Sequence, residues 1–460
     1  MCDVTRRRSP AVASRGVSSP SHERTALRRP RSDRSTRSGS KETTVQAMRG
    51  VQGILGIPAP INEPMFSTVE RDRRWGRLRA LMDKEGVELL IVLPAWVTSD
   101  SLYIADTVGV TIFPRDGDPI LILGGEHSNY AVKRPYWIDD RMSATPFGST
   151  APEYGLVTAE VLRRRGLVGR RTAIAGLHGD EYSSVRQPEG YAAHTTVSRI
   201  AEAIGAENII DGTGILGRAR YVKGAEEIAR LAAGVRVGEA SLAAMAASAG
   251  EGVAQAEVFG QMLLAQVRAG ADVPHIAWAP GPWGAMRHRY VTPPPGVLER
   301  GTYIATELMP EIRGYQAQVA QPLVVGSPSA RAREIFERNA AAFDIALETM
   351  RPGKLWGDVF AAVESVAGAD DGHMLTLLHG RGLGNDGPLL IPNRDRSHIA
   401  ELPITANTTF ILKPFLEVPE APVPSPRTHD VTWGDTVVVT ETGAERLGTR
   451  RRELTVVDKA

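Results

Sequence analysis

At 460 residues, with 42% apolar and 23% charged side chains, the chain is long enough for two domains with substantial cores and has the composition of an ordinary globular protein. No apolar run approaches the roughly 20 residues needed to cross a bilayer, and a single cysteine, Cys2, excludes an internal disulfide framework and fits a reducing cytoplasm. The net charge of +1 conceals an asymmetry, because residues 1–50 carry twelve Lys and Arg against four Asp and Glu, which leaves the other 410 residues near −7, mildly acidic and without a nucleic-acid footprint.

Residues 1–65 form a basic extension whose Ser-, Arg- and Pro-rich composition buries too little surface to offset chain entropy. Disorder is expected there, or a natural start at Met48 or Met65. An Arg- and Ser-rich start is also the composition of a transit peptide, yet no apolar helical face accompanies the charges. From Ser67 the pattern becomes regular. Val69 to Glu85 has the period of an amphipathic helix, and the run after Glu88 reads as a buried strand. Further strands are predicted at Val108 to Phe113, Pro119 to Leu123 and Thr172 to Ala175, with helices at Gly155 to Arg165 and Val197 to Ile204. A long helix is expected to run to about Ala247, a second from Gln255 to Ala269, and a helical pair at Ala340 to Met350 and Trp356 to Val366, split by Arg351-Pro-Gly. The order of elements gives an α/β chain.

The stretch from Thr306 to Gly326, TELMPEIRGYQAQVAQPLVVG, alternates apolar and polar residues up to Arg313-Gly314-Tyr315 and away again, the pattern of two strands joined by a Gly-centred turn. Upstream, Arg220-x-x-Lys223-x-x-x-Glu227-Ile228 leads into the long helix, and downstream lie His379-Gly-Arg-Gly, Lys413-Pro and Gly434-Asp-Thr-Val-Val-Val-Thr. Together these segments resemble the pita-bread hydrolase family, which contains methionine aminopeptidase, prolidase, aminopeptidase P and creatinase. The resemblance implies a creatinase/prolidase-like two-domain chain, with an amino-terminal α/β domain at 66–215 and a pita-bread domain at 216–460. It also implies a homodimer.

Metal-binding members of that family hold two ions with two Asp, one His and two Glu. On this chain the matching positions carry Glu307, Gln318, His379, Lys413 and Gly434. The anionic charge that would balance two dications is gone, and an ammonium has arrived. The reading is that Lys413 takes the charge role of a metal and pairs with Glu307, with Gln318 and His379 available for hydrogen bonds. No cofactor is therefore expected. His288, in Met286-Arg-His-Arg-Tyr, matches a family His that contacts substrate and is assigned as general base and acid. Glu307 and Gln318 would orient water or substrate. Lys413 and Arg381, the latter where the resembled turn carries Ile, would bind a carboxylate or a developing oxyanion. Asp386 stands where the family has a second His and is assigned to substrate binding.

The function this favours is a metal-independent hydrolase of a C–N bond in a small polar metabolite, like creatinase but not creatinase. One alternative is an Xaa-Pro aminopeptidase or dipeptidase with a single divalent metal rebuilt on Glu307, His379 and Asp386 or His288. The other is a non-catalytic binding protein on the same fold. A small molecule or short peptide is the expected partner, with no nucleic acid and no membrane.

Overall fold

The computed structural model describes residues 66–94, 100–124, 137–145, 152–185, 189–283, 293, 295–367, 373–390, 397–417 and 431–458. All of them belong to one compact unit, residues 55–460.

Helix α1, Thr68–Glu85, starts where the Ser67 hydroxyl accepts the Glu70 amide and stops at Gly86, whose φ of 65° suits a residue without Cβ. Strand β1, Leu89–Val92, follows, then α2, Asp100–Ala105, and strands β2, Val110–Pro114, β3, Ile120–Leu123, and β4, Asp140–Ser143. Helix α3, Tyr154–Arg164, β5, Thr172–Ala175, α4, His194–Ile204, and β6, Ile209–Asp211, complete a six-stranded mixed sheet of order β4-β3-β2-β1-β5-β6. Its inner strands are apolar at nearly every position because both faces are covered. Leu89, Ile91 and Ile174 pack with the α3 and α4 residues Leu162 and Ile200, while Leu90, Val92 and Ala173 pack towards α1.

Three helices come next: α5, Thr213–Tyr221, α6, Ala225–Ser248, and α7, Gln255–Arg268. The boundary expected near residue 216 thus falls inside α5. The core does not break there, since one cluster runs from Phe66 and Trp75 through Leu231 and Val235 to Ile304 and Val457.

Strands β7, Ile276–Pro282, β8, Thr302–Leu308, β9, Glu311–Ile312, β10, Tyr315–Gln316, and β11, Leu323–Val325, contain the predicted hairpin. It is real but interrupted. Met309-Pro310 breaks the outgoing strand, since proline cannot donate to a ladder. The tip residues then pair separately, Ile312 with Tyr315 and Glu311 with Gln316. At the turn, Arg313 and Gly314 both have positive φ, 55° and 81°. Helix α8, Ala330–Thr349, begins ten residues before its predicted start, capped by the Ser329 hydroxyl. Its first turns carry the start of the apolar stripe, Ala332, Ile335 and Phe336, diluted by the Arg and Glu around them.

After α9, Trp356–Glu364, come β12, His373–Gly380, β13, Gly382–Leu383, β14, Leu389–Leu390, and the short α10, Ser397–Ala400. Strands β15, Thr408–Glu417, β16, Asp435–Val439, β17, Ala444–Arg446, and β18, Thr455–Val457, follow. Two sheets carry this half of the chain, one of order β18-β11-β8-β7 and one of order β14-β12-β15-β16-β17, joined by the small ladder β13-β10-β9. No described helix is long and apolar enough to cross a membrane.

Candidate functional site

Strand alternation decides which side chains meet between the two larger sheets. On β8, Ile304 and Leu308 enter the core beneath α6, so Glu307 points to the other face. On the hairpin's return limb, Ala317 and Val319 pack against Gly234 and Gly238 of α6, which turns Gln318 the same way as Glu307. In the second sheet, Leu378 and Leu412 join the core behind β12 and β15, leaving His379 and Lys413 on the opposite face. The register pairs Leu377 with Lys413 and His379 with Ile411, so the imidazole and the ammonium lie diagonally across adjacent strands.

Two backbone hydrogen bonds between Ala320 and Gly434, 3.0 and 3.1 Å, stitch the hairpin to the second sheet. Beside them the Gln318 amide donates to Thr436 Oγ1 at 2.9 Å, and that hydroxyl donates back to the Gln318 carbonyl at 2.8 Å. Lys413 Nζ forms an ion pair with Glu307, both side chains being at least nine-tenths buried. The ammonium reaches its partner over Gly434. A Cβ at 434 would stand 3.0 Å from Lys413 Cγ and 3.1 Å from Lys413 Cβ, so the bare glycine and the lysine stem occupy one space between them. Gln318 adds a polar acceptor, since its Oε1 is buried without a hydrogen-bond partner among the described residues. His379 Nδ1 lies 2.9 Å from the Gly380 carbonyl, which accepts, so Nδ1 carries the proton and Nε2 is the acceptor of the neutral ring.

The other predicted residues are placed elsewhere. Asp386 accepts from Lys223 Nζ at 2.9 Å and is paired with Arg220, which also binds Asp100. It lines a small polar pocket with Tyr182, Ser183, Tyr191 and Thr213 rather than joining Glu307 and Lys413. Arg381, fully buried, directs its guanidinium to the backbone of the hairpin. His288 lies outside the described residues. Sequence reading missed three groups. Arg220 and Lys223 were visible only as a spacing at a helix entrance, and their task is to neutralise Asp386. Arg450 donates to the carbonyls of Gly434 and Ala320 at 2.8 and 3.1 Å, holding the stitch. Asp435 is completely buried, and its carboxylate oxygens have no side-chain hydrogen-bond partner among the described residues. Burial pushes it up to about 6, against the pull of Arg450 and Arg446 and with a push from Glu239.

Residues 229–441 match the model of metallopeptidase family M24. The Xaa-Pro dipeptidase of Pyrococcus furiosus is 24% identical over 381 residues, covering 81% of this chain and 99% of that protein. Among solved structures, dipeptidase PepE from Mycobacterium ulcerans superposes with a TM-score of 0.64 at 21% identity, over 86% of this chain and all of that one. An Xaa-Pro dipeptidase from Bacillus anthracis gives 0.65 at 18% identity, over 84% and 100% of the two chains.

The family model corrects the expectation that no cofactor is needed, because it describes metallopeptidases. It also shifts the functional expectation from small-metabolite hydrolysis towards peptidases. The residues at the five positions do not fit a pair of divalent ions, however. Only Glu307 and His379 are of ligand type, the Glu307 carboxylate is engaged by Lys413, and no group of three or more His, Cys, Asp or Glu is disposed to hold a metal among the described residues. By its hairpin, its two-sheet carboxy-terminal half and these matches, the chain carries a metallopeptidase family M24 domain at residues 229–441 and shares the two-domain fold of the dipeptidases it matches.

Proposed function

We propose that the chain is a peptidase of the Xaa-Pro dipeptidase type, cleaving the amide bond of a short peptide between its two larger sheets. The observation that carries this reading is the correspondence with 99% of the length of the Pyrococcus furiosus Xaa-Pro dipeptidase, together with Glu307, Gln318, His379 and Lys413 converging on one interior face. In this scheme Lys413 supplies positive charge beside the scissile carbonyl, where charge develops as the bond is attacked. Glu307 holds the ammonium in place. Gln318 Oε1 accepts an N–H of the substrate, and His379 Nε2 accepts a proton at the reacting centre. His288 keeps the role assigned from the sequence, general base and acid. No step is drawn through a metal ion, because the five positions do not fit a pair of them.

One observation favours a second reading, a non-catalytic peptide-binding protein: the Glu307 carboxylate is already committed to Lys413. A panel of Xaa-Pro and Xaa-Ala dipeptides assayed by release of free amino acid, with and without added Mn, Co or Zn, separates the two. The proposal expects turnover, faster on Xaa-Pro. Binding of the dipeptides without release of amino acid under any of these conditions would establish the second reading instead.

A further inference from the structure

Arg381 stands in the turn after His379, and its guanidinium is shared between segments far apart in the chain. Nε donates to the Gln316 carbonyl at 3.1 Å and Nη2 to the Ala317 carbonyl at 2.9 Å, both on the limb of the hairpin that leads directly into Gln318. Nη1 donates to Asn385 Oδ1 at 2.7 Å, fixing the loop that also carries Asp386. The backbone of Arg381 is held from a third side. Its amide donates to the Thr409 carbonyl at 2.9 Å, and its carbonyl accepts from Thr409 Oγ1 at 2.6 Å, on the strand that carries Lys413. One residue without exposed surface therefore binds the hairpin limb bearing Gln318 and the loop at Asn385 through its guanidinium, and the strand bearing Lys413 through its backbone, two positions after His379.

The geometry points to Arg381 as a positioning residue that sets the spacing between the hairpin face and the β12–β15 face of the site. This inference rests on the proposed peptidase reading for its kinetic consequence, though not for its structural one. The guanidinium is suited to the task because its planar fork presents N–H groups in several fixed directions at once, whereas an ammonium at the same place is a point donor. A residue that touched substrate would leave its donors facing the space between the sheets. Arg381 places three of them on protein acceptors.

The test uses the full chain carrying Arg381→Lys, with Thr409→Val as a milder second variant that removes only the hydroxyl on the Arg381 carbonyl. Native-state amide exchange is read at Gln318, whose N–H donates to Thr436 Oγ1, and at Gly380. The His379 imidazole is followed by nitrogen resonance. In both variants exchange is expected to rise at Gln318 and Gly380 together, by about tenfold or more in the lysine variant, with a shifted His379 signal. On an Xaa-Pro dipeptide, kcat should fall by about tenfold with KM within about twofold of wild type. Exchange confined to residues 381–385 with an unmoved His379 signal would overturn the inference, as would a raised KM with unchanged kcat, which would mean direct substrate contact. If no peptide is turned over at all, the peptidase reading falls and the exchange and imidazole measurements still decide the role of Arg381.

Discussion

Single residues show how closely the interior between the two larger sheets is fitted. Lys413 would have to give way if residue 434 had a side chain, because a Cβ there would press on its stem at 3.0 Å. The sequence carried both substitutions but not their contact, since residues 413 and 434 meet only through the pairing of β15 with β16. Asp435 was less legible still. In sequence it is one more polar residue at the head of an apolar strand. In the fold its carboxylate lies against the backbone of Gly448, where even a Cβ would approach Oδ2 to 2.3 Å, and its nearest cationic group is Arg450 Nη2 at 3.8 Å. Burial outweighs that attraction and lifts it from an ordinary 3.8 to about 6. The native state then holds more protons than the unfolded chain between about pH 4 and pH 6, so this group's contribution to stability falls as pH rises through that window. Two pK units correspond to about 3 kcal/mol. Urea unfolding of Asp435→Asn and wild type at pH 4.5 and 7 (roughly the two sides of that window) should show the variant gaining relative stability at the higher pH. A difference that is the same at both would contradict the assignment.

Elements with strong periodicity were legible almost to the residue. The strand Thr172–Ala175 and the start of the helix Gln255–Arg268 are where alternation and helical spacing place them. Other elements were less legible. The first ten residues of Ala330–Thr349 bury Ala332, Ile335 and Phe336 at helical spacing, a signal diluted by the Arg and Glu around them, and the tip of the hairpin owes its form to neighbours remote in sequence. Tyr315 OH donates to Glu227 at 2.6 Å and accepts from Arg74 Nη2 at 3.0 Å. Arg74 is fully buried among the rings of Phe66, Tyr103 and Trp137, and its Nε donates to Glu70 at 2.7 Å. Burial drives the Tyr315 hydroxyl well above its ordinary range, so it remains protonated and able to donate. The turn is thereby fastened to α1 and α6. Tyr315→Phe would leave one donor and one acceptor in the interior without this partner, at a cost of about 1–3 kcal/mol. Chemical denaturation at neutral pH checks it, and an unchanged midpoint would show that the hairpin tip does not depend on this contact.

At the scale of the molecule, the amino-terminal sheet and the two carboxy-terminal sheets are bound by buried polar ties as well as by apolar packing. Arg74 reaches the hairpin, Arg220 joins Asp100 to Asp386, and Arg381 spans the site itself. The fold class was legible because turn chemistry and motif spacing mark the pita-bread frame. The cofactor was not, because the five positions and the metallopeptidase model that residues 229–441 match point in different directions. In the proposed reading, peptide-bond cleavage is organised around the buried Glu307–Lys413 pair. Removing one partner alone would strand a buried charge, so the decisive variant is the neutral double replacement, Glu307→Gln with Lys413→Met, whose melting should stay near that of wild type. The measurement is kcat/KM of this double variant on an Xaa-Pro dipeptide. A loss of about a hundredfold or more is expected, and a folded double variant that cleaves the dipeptide at the wild-type rate would rule out a catalytic role for the pair.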